Sequence, residues 1–105
     1  MVYELRIYHM NPGKMGTMLK RFDEQMFDLL AKHGIKVVDF FTDAAGNEKV
    51  YYICEFENLE AKDTAWKSIF TDPELFEIKD KYDADGEIMK SYESYTMERN
   101  DFFRR

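Results

Sequence analysis

The stretch VYELRIYHM, residues 2–10, alternates its side chains between two faces with the period of a β-strand. One parity is mainly apolar, and we expect its Leu5 and Ile7 to meet the helices of the fold. The other parity places a carboxylate, a guanidinium and a phenol on the opposite face: Glu4, Arg6 and Tyr8. This strand predicts a sheet in which polar groups line the face away from the helices.

A long helix is expected directly after this strand. Asn11 is the expected N-cap, with Pro12 at the first helical position, where its missing N–H costs nothing. Apolar residues at spacings of three and four, rich in Met and Leu, continue to about His33. Gly34 is the expected left-handed terminator.

The remaining segments complete the order β-α-β-β-α-β. Strands are predicted at residues 35–42, 50–56 and 88–98, and two helical segments begin at Asn58 and at Asp72. This order is typical of an α+β fold, a ferredoxin-like sandwich with a four-stranded antiparallel sheet and helices on one face. We expect a single domain over residues 1–105.

Both faces of this sheet are expected to be buried. Phe40 and Phe41 are neighbours, as are Tyr51 and Tyr52, so both parities carry large side chains. An exposed face of an antiparallel sheet would instead be polar. A second subunit is the simplest cover, which predicts a homodimer.

Composition restricts the class of partner. The formal net charge is −6, so nucleic acid and anionic membranes are not expected partners. Cys54 is the only cysteine, which excludes a disulfide within the chain and favours the cytoplasm. His9 and His33 are the only histidines, and no metal or cofactor is predicted.

Several short motifs resemble the NIPSNAP family. They are YELRIY at residues 3–8 followed by PGK at 12–14, and KHGIK at 32–36, in an order that agrees with the family over residues 2 to about 98. The resemblance implies a dimeric αβ barrel, in which two sheets face each other and enclose a cavity. The biochemical role of the family is poorly defined, so the resemblance implies no particular reaction.

The polar residues of the first strand are the first candidates for a site in that cavity. Arg6 offers fixed cationic donors for a carboxylate or enolate, and Tyr8 a hydrogen-bond donor or acid. The alternative is that Glu4 and Arg6 form a structural ion pair, because charges under a cover need partners.

The second and third strands add four candidates. We assign Asp39 and Phe41, together with Tyr52 and Cys54, to the same cavity, because Val38 and Phe40 suit the helix side. Asp39 is either a buried general base or an edge carboxylate in water. Cys54 is either a nucleophile or, in the simpler interpretation, a buried inert thiol.

Two functions fit these observations. The first is a small-molecule-binding protein, with or without catalysis, whose site lies between the sheets of a homodimer. The alternative is a non-catalytic protein-interaction module whose barrel interior is only a packed dimer core.

Overall fold

The computed structural model describes residues 1–104 and confirms the α+β fold, with one four-stranded antiparallel sheet. Its strands are β1 (Val2–Met10), β2 (Lys36–Thr42), β3 (Lys49–Phe56) and β4 (Met89–Met97). The helices are α1 (Met15–Arg21), α2 (Phe27–Lys32), α3 (Leu59–Phe70) and α4 (Pro73–Tyr82), and a π-helical turn (Phe22–Met26) joins α1 to α2. The spatial order β2-β3-β1-β4 makes β1 a central strand.

The first helix begins later than the sequence predicts. Asn11 does not cap it; its Nδ2 instead donates to the Glu87 carbonyl at 2.9 Å. Gly13 has a φ of 78°, and the helix starts after Lys14 without a side-chain cap. Asn11 to Gly13 therefore form a turn rather than the first helical residues. Gly34, with a φ of 76°, ends α2 as expected.

The two later helices begin where their caps predict. Asn58 Oδ1 accepts a hydrogen bond from the Ala61 amide at 2.8 Å, which fixes the start of α3. Asp72 Oδ1 accepts from the Glu74 amide at 2.9 Å, with Pro73 at the first position of α4. None of the helices within residues 1–104 has the length and apolar character needed to cross a membrane.

The assignment of faces on β1 is wrong. Glu4, Arg6 and Tyr8 are buried against the helices, whereas Leu5 and Ile7 are half-buried on the other face. Both sets of alternating side chains in the sheet include large residues, so residue size did not decide which set faces the helices. In the structure, the helices cover the polar set of β1. Two charged residues can occupy the core here because they neutralise each other and meet further hydrogen-bonding groups.

The face predicted for Tyr52 and Cys54 on β3 is also wrong. Tyr52 pairs with Arg6 and Cys54 with Glu4, so both lie on the helix side rather than in a cavity between two sheets. An irregularity of register between Val37 and Asp39 changes the parity of β2. Asp39 and Phe41 consequently stay on the helix-free face, as predicted.

A patch of large apolar side chains lies uncovered on the helix-free face. Phe41 and Tyr95 are 49% and 50% exposed there, although both are large aromatic residues. Their half-buried neighbours on the same face are Tyr3, Leu5, Ile7, Ile53 and Met97. An apolar patch of this kind is the usual mark of an interaction surface.

Candidate functional site

A buried carboxylate organises the helix side of the sheet. Glu4 is 2% exposed, and its Oε2 accepts from Arg6 Nη1 at 2.9 Å and from Ser94 Oγ. Its Oε1 accepts from the indole Nε1 of Trp66 on α3 at 2.6 Å. Three donors thus satisfy the carboxylate, as a charge removed from water requires. The ion pair predicted as the alternative for Glu4 and Arg6 is therefore present.

Aromatic rings surround the charged end of Arg6. The guanidinium carbon lies 4.2 Å from the centroid of the Trp66 ring, 5.1 Å from that of Tyr92 and 5.5 Å from that of Tyr8. Burial lowers the pKa of Arg6, but the oxygens of Tyr8 and Tyr52 and the Glu4 carboxylate outweigh it and raise the pKa above its ordinary value. The side chain is a permanent cation held in place by its neighbours.

A pair of phenols continues the network from Arg6. Arg6 Nε donates to the Tyr8 hydroxyl at 3.2 Å, and that hydroxyl lies 2.6 Å from the hydroxyl of Tyr52. Burial, followed by the proximity of Tyr8, raises the pKa of Tyr52 well above its ordinary value, against the opposing effect of Arg6. Tyr52 therefore stays protonated and serves as a hydrogen-bonding group.

These residues form part of the wall of a cavity of about 310 Å³ between the sheet and the helices. The polar wall comes from β1 and β3, with Arg6, Tyr8 and Tyr52. The opposite wall comes from α3 and α4 and is largely apolar. On β4, Tyr92 is 55% exposed and also lines the cavity. The cavity combines a few fixed polar groups with an apolar lining, which is the usual composition of a small-molecule site.

The remaining predicted residues do not join this wall. Cys54 is fully buried, and burial, with a smaller contribution from Glu4, raises its pKa to about 12. The thiol is therefore protonated, as in the simpler interpretation. Asp39 is exposed on the edge strand β2, across the sheet from the cavity, and Phe41 shares its face. Because Asp39 is exposed in the described chain, burial there does not make it a general base.

Three residues of the site were not predicted from the sequence to be site residues. A Trp indole N–H needs an acceptor where the ring packs into the fold, and that requirement was the available signal for Trp66. Tyr92 lies opposite Tyr8 in the register of β1 and β4. Arg21 lines the cavity from the end of α1, a position that only the tertiary structure reveals.

The two histidines lie outside the cavity wall. His9 Nε2 is 2.6 Å from Glu93 on the helix-free face. The ring of His33 links α3 to the start of α4, with Nδ1 2.6 Å from Ser68 Oγ and Nε2 2.7 Å from Asp72 Oδ2. Within the described part of the chain, no three His, Cys, Asp or Glu side chains form a group that could hold a metal ion.

Several solved structures have a fold similar to that of this chain. An uncharacterized NIPSNAP domain protein from Burkholderia xenovorans has a TM-score of 0.84 at 15% identity, with 100% of each chain covered. A NIPSNAP family protein from Agrobacterium tumefaciens has a TM-score of 0.84 at 20% identity, over 96% of this chain and 94% of that one. A putative antibiotic biosynthesis monooxygenase from Deinococcus radiodurans has a TM-score of 0.62 at 10% identity, over 100% and 98%. Identities this low show the fold alone.

Comparison with curated proteins gives no match. The NIPSNAP family model, by contrast, matches residues 3–102, nearly the whole chain. This match agrees with the YELRIY and PGK motifs of the first strand and the turn after it. The chain therefore belongs to the NIPSNAP family.

Proposed function

We propose that the chain is a small-molecule-binding protein that acts as a homodimer, with one ligand site in the helix-side cavity of each subunit. The cavity beside Arg6 is the observation that carries this proposal. Its volume of about 310 Å³ lies at the lower end of the range found for ligand sites. The site thus lies within each subunit rather than between two sheets.

The arrangement around Arg6 favours binding because its polar groups are already oriented. Glu4, Tyr8 and Trp66 hold the guanidinium from several directions, so little side-chain freedom is left to lose when a ligand arrives. Preorganisation of this kind increases affinity. Tyr52 and Cys54 are both kept protonated by burial, so these two groups supply no ready anionic nucleophile. We therefore propose binding and assign no reaction to the site.

The homodimer is proposed to form through the helix-free face. Leu5, Ile53 and Phe41 contribute apolar surface to a sheet face that the subunit leaves uncovered. Because the ligand cavity lies on the opposite face, the dimer contact and the ligand site use different sides of one sheet. We further propose a cytoplasmic location, where the single Cys54 remains a free thiol.

A thermal-shift screen of small metabolites with a cavity-filling variant tests the proposal. Leu75 lines the cavity, and Leu75→Trp is expected to fill part of it. Leu59 is exposed at the start of α3 and does not line the cavity, so Leu59→Trp is the matched control. Compounds that raise the melting temperature of the wild type and of Leu59→Trp, but not of Leu75→Trp, support a site in the cavity.

A screen in which no compound stabilises the wild type counts against the proposal. It favours the alternative, a protein-interaction module that uses the apolar helix-free face. A compound that stabilises Leu75→Trp as strongly as the wild type shows binding elsewhere and contradicts the assigned site.

A further inference from the structure

We infer that the ligand is a monoanion, a carboxylate at the end of an apolar body, and that Arg21 binds its charge. This inference rests on the proposed function of the cavity and adds the chemical class of the ligand. It is based on Arg21, a cation on the cavity wall. Within residues 1–104, no group accepts a hydrogen bond from its buried Nε.

Arg21 has an unsatisfied hydrogen-bond donor. Its Nε is buried, and within residues 1–104 it has no hydrogen-bond partner. The same part of the chain places no carboxylate within ion-pair distance of the Arg21 guanidinium. Buried donors without acceptors are rare in folded proteins, and each calls for an explanation. Arg21 lines the adjoining cavity, and a ligand bound there would supply the counter-charge that residues 1–104 do not place beside it.

The π-helical turn lies next to Arg21 along the cavity wall. Arg21 is the last residue before the turn and Met26 is its last residue, and both line the cavity. A π-helical turn changes the direction of the side chains that follow it, and such turns occur frequently at functional sites. The irregular part of the first helical segment therefore coincides with the cavity wall.

The other cations of the wall already have partners. Arg6 is paired with Glu4 at 2.9 Å, and Lys79 Nζ lies 3.7 Å from a carboxylate oxygen of Asp83. The second acidic residue of the wall is Glu87, which is exposed and therefore solvated. Among the described residues of the wall, Arg21 is thus the cation without a counter-charge, and one such cation matches one negative charge.

The rest of the cavity sets the character of the ligand body. Apart from Arg21 and Lys79, its helix-side lining is apolar, from Leu30, Ile69, Phe70, Leu75 and Phe76, with Met89 from β4. Such a lining offers little to a sugar or a polyphosphate, since their polar groups would lose water without gaining partners. An aliphatic or aromatic carboxylate matches both the cation and the lining.

The test compares octanoate with octanamide, two molecules of nearly equal size that differ in charge. Trp66 is the only tryptophan of the chain and lines the cavity, so its fluorescence reports binding there. We expect octanoate to bind the wild type at least tenfold more tightly than octanamide. Arg21→Gln is expected to abolish that preference, and Arg21→Lys, which keeps the charge, to retain part of it.

Lys20→Gln is the matched control, because Lys20 precedes Arg21, is exposed and does not line the cavity. It removes the same charge from the chain and is expected to leave the preference intact. Equal binding of octanoate and octanamide overturns the monoanion inference but leaves the proposed cavity function standing. The monoanion inference also fails if only uncharged compounds of the thermal-shift screen bind, or if Lys20→Gln and Arg21→Gln weaken octanoate binding equally. If no compound of any class binds, the proposed function itself fails.

Discussion

Replacing Arg6 with Met is expected to destabilise the fold severely, because it breaks a buried ion pair from one side. Glu4 is 2% exposed and would keep only the uncharged donors Trp66 and Ser94. Leaving one charge of a buried pair uncompensated costs about 3–5 kcal/mol. That range includes the lost contact between the guanidinium and the Trp66 ring, about 2 kcal/mol for a desolvated pair. Met fills much of the space of the Arg side chain, so little of the loss comes from a new void.

Urea unfolding followed by circular dichroism, at one fixed protein concentration, measures this loss. The control is the double variant Glu4→Gln/Arg6→Met, which removes both charges together. We expect it to lose less stability than the sum of its two single variants, since neither charge is left alone in the core. The interpretation is refuted if Arg6→Met costs less than about 1 kcal/mol, the value expected of an exposed pair. Strict additivity of the two single variants would refute it as well.

Three further outcomes are expected. Ile53→Arg, on the helix-free face, should convert the proposed dimer to a folded monomer, as measured by sedimentation velocity. Glu57→Arg, in an exposed loop, should leave the dimer intact. A dimer that persists in Ile53→Arg contradicts the proposed interface. Because burial raises the pKa of Cys54 to about 12, its thiol should react slowly with Ellman's reagent at pH 8 until urea unfolds the chain, and rapid native labelling would be inconsistent with that burial. The pKa of Asp72 is lowered by the Lys32 ammonium, the Glu74 amide and the His33 ring. The ionised Asp72 carboxylate therefore stabilises the fold fully at pH values above its pKa in the unfolded chain, about 4. This stabilisation is lost as the pH falls through the lower pKa of the folded state. Asp72→Asn should therefore flatten the acid side of the stability–pH curve, and a variant with the wild-type curve would disprove this role.

The order of elements was predictable because each has a local signal. Asn58 and Asp72 carry side-chain oxygens that cap helices, and Gly34 adopts a left-handed conformation that ends one. These effects act within a few residues, so the sequence alone contains them. The predicted start of the first helix was wrong because Asn11 bonds to the distant Glu87 carbonyl instead of to the helix.

The faces of the sheet were not predictable from local signals. Glu4 and Arg6 fit the core only because Trp66 and Ser94, 62 and 90 residues beyond Glu4 in the chain, donate to the carboxylate. Hydrophobic alternation treats such residues as surface, since it counts polarity and not partners. The sequence therefore identified Arg6 as a site residue but placed it on the wrong side of the sheet.

Only part of the candidate site was predictable from the sequence. Arg6, Tyr8 and Tyr52 stand out because polar groups on central strands are unusual, and they do come together. Arg21 carries no such mark, since an Arg on an amphipathic helix is ordinary. Its position on the cavity wall depends on the tertiary structure, which no spacing in the sequence indicates.

Which face of the sheet carries the ligand is tested most directly by nitrogen–proton NMR spectra of the labelled protein, with and without the tightest ligand of the thermal-shift screen. Trp66 gives the only indole N–H signal, and this group donates to Glu4 beside the cavity. We expect this signal and the amide signals of Arg6 and Tyr52 to shift on binding, and those of Phe41 and Tyr95 to stay unchanged. Shifts confined to Phe41, Tyr95 and their neighbours on the helix-free face would contradict it.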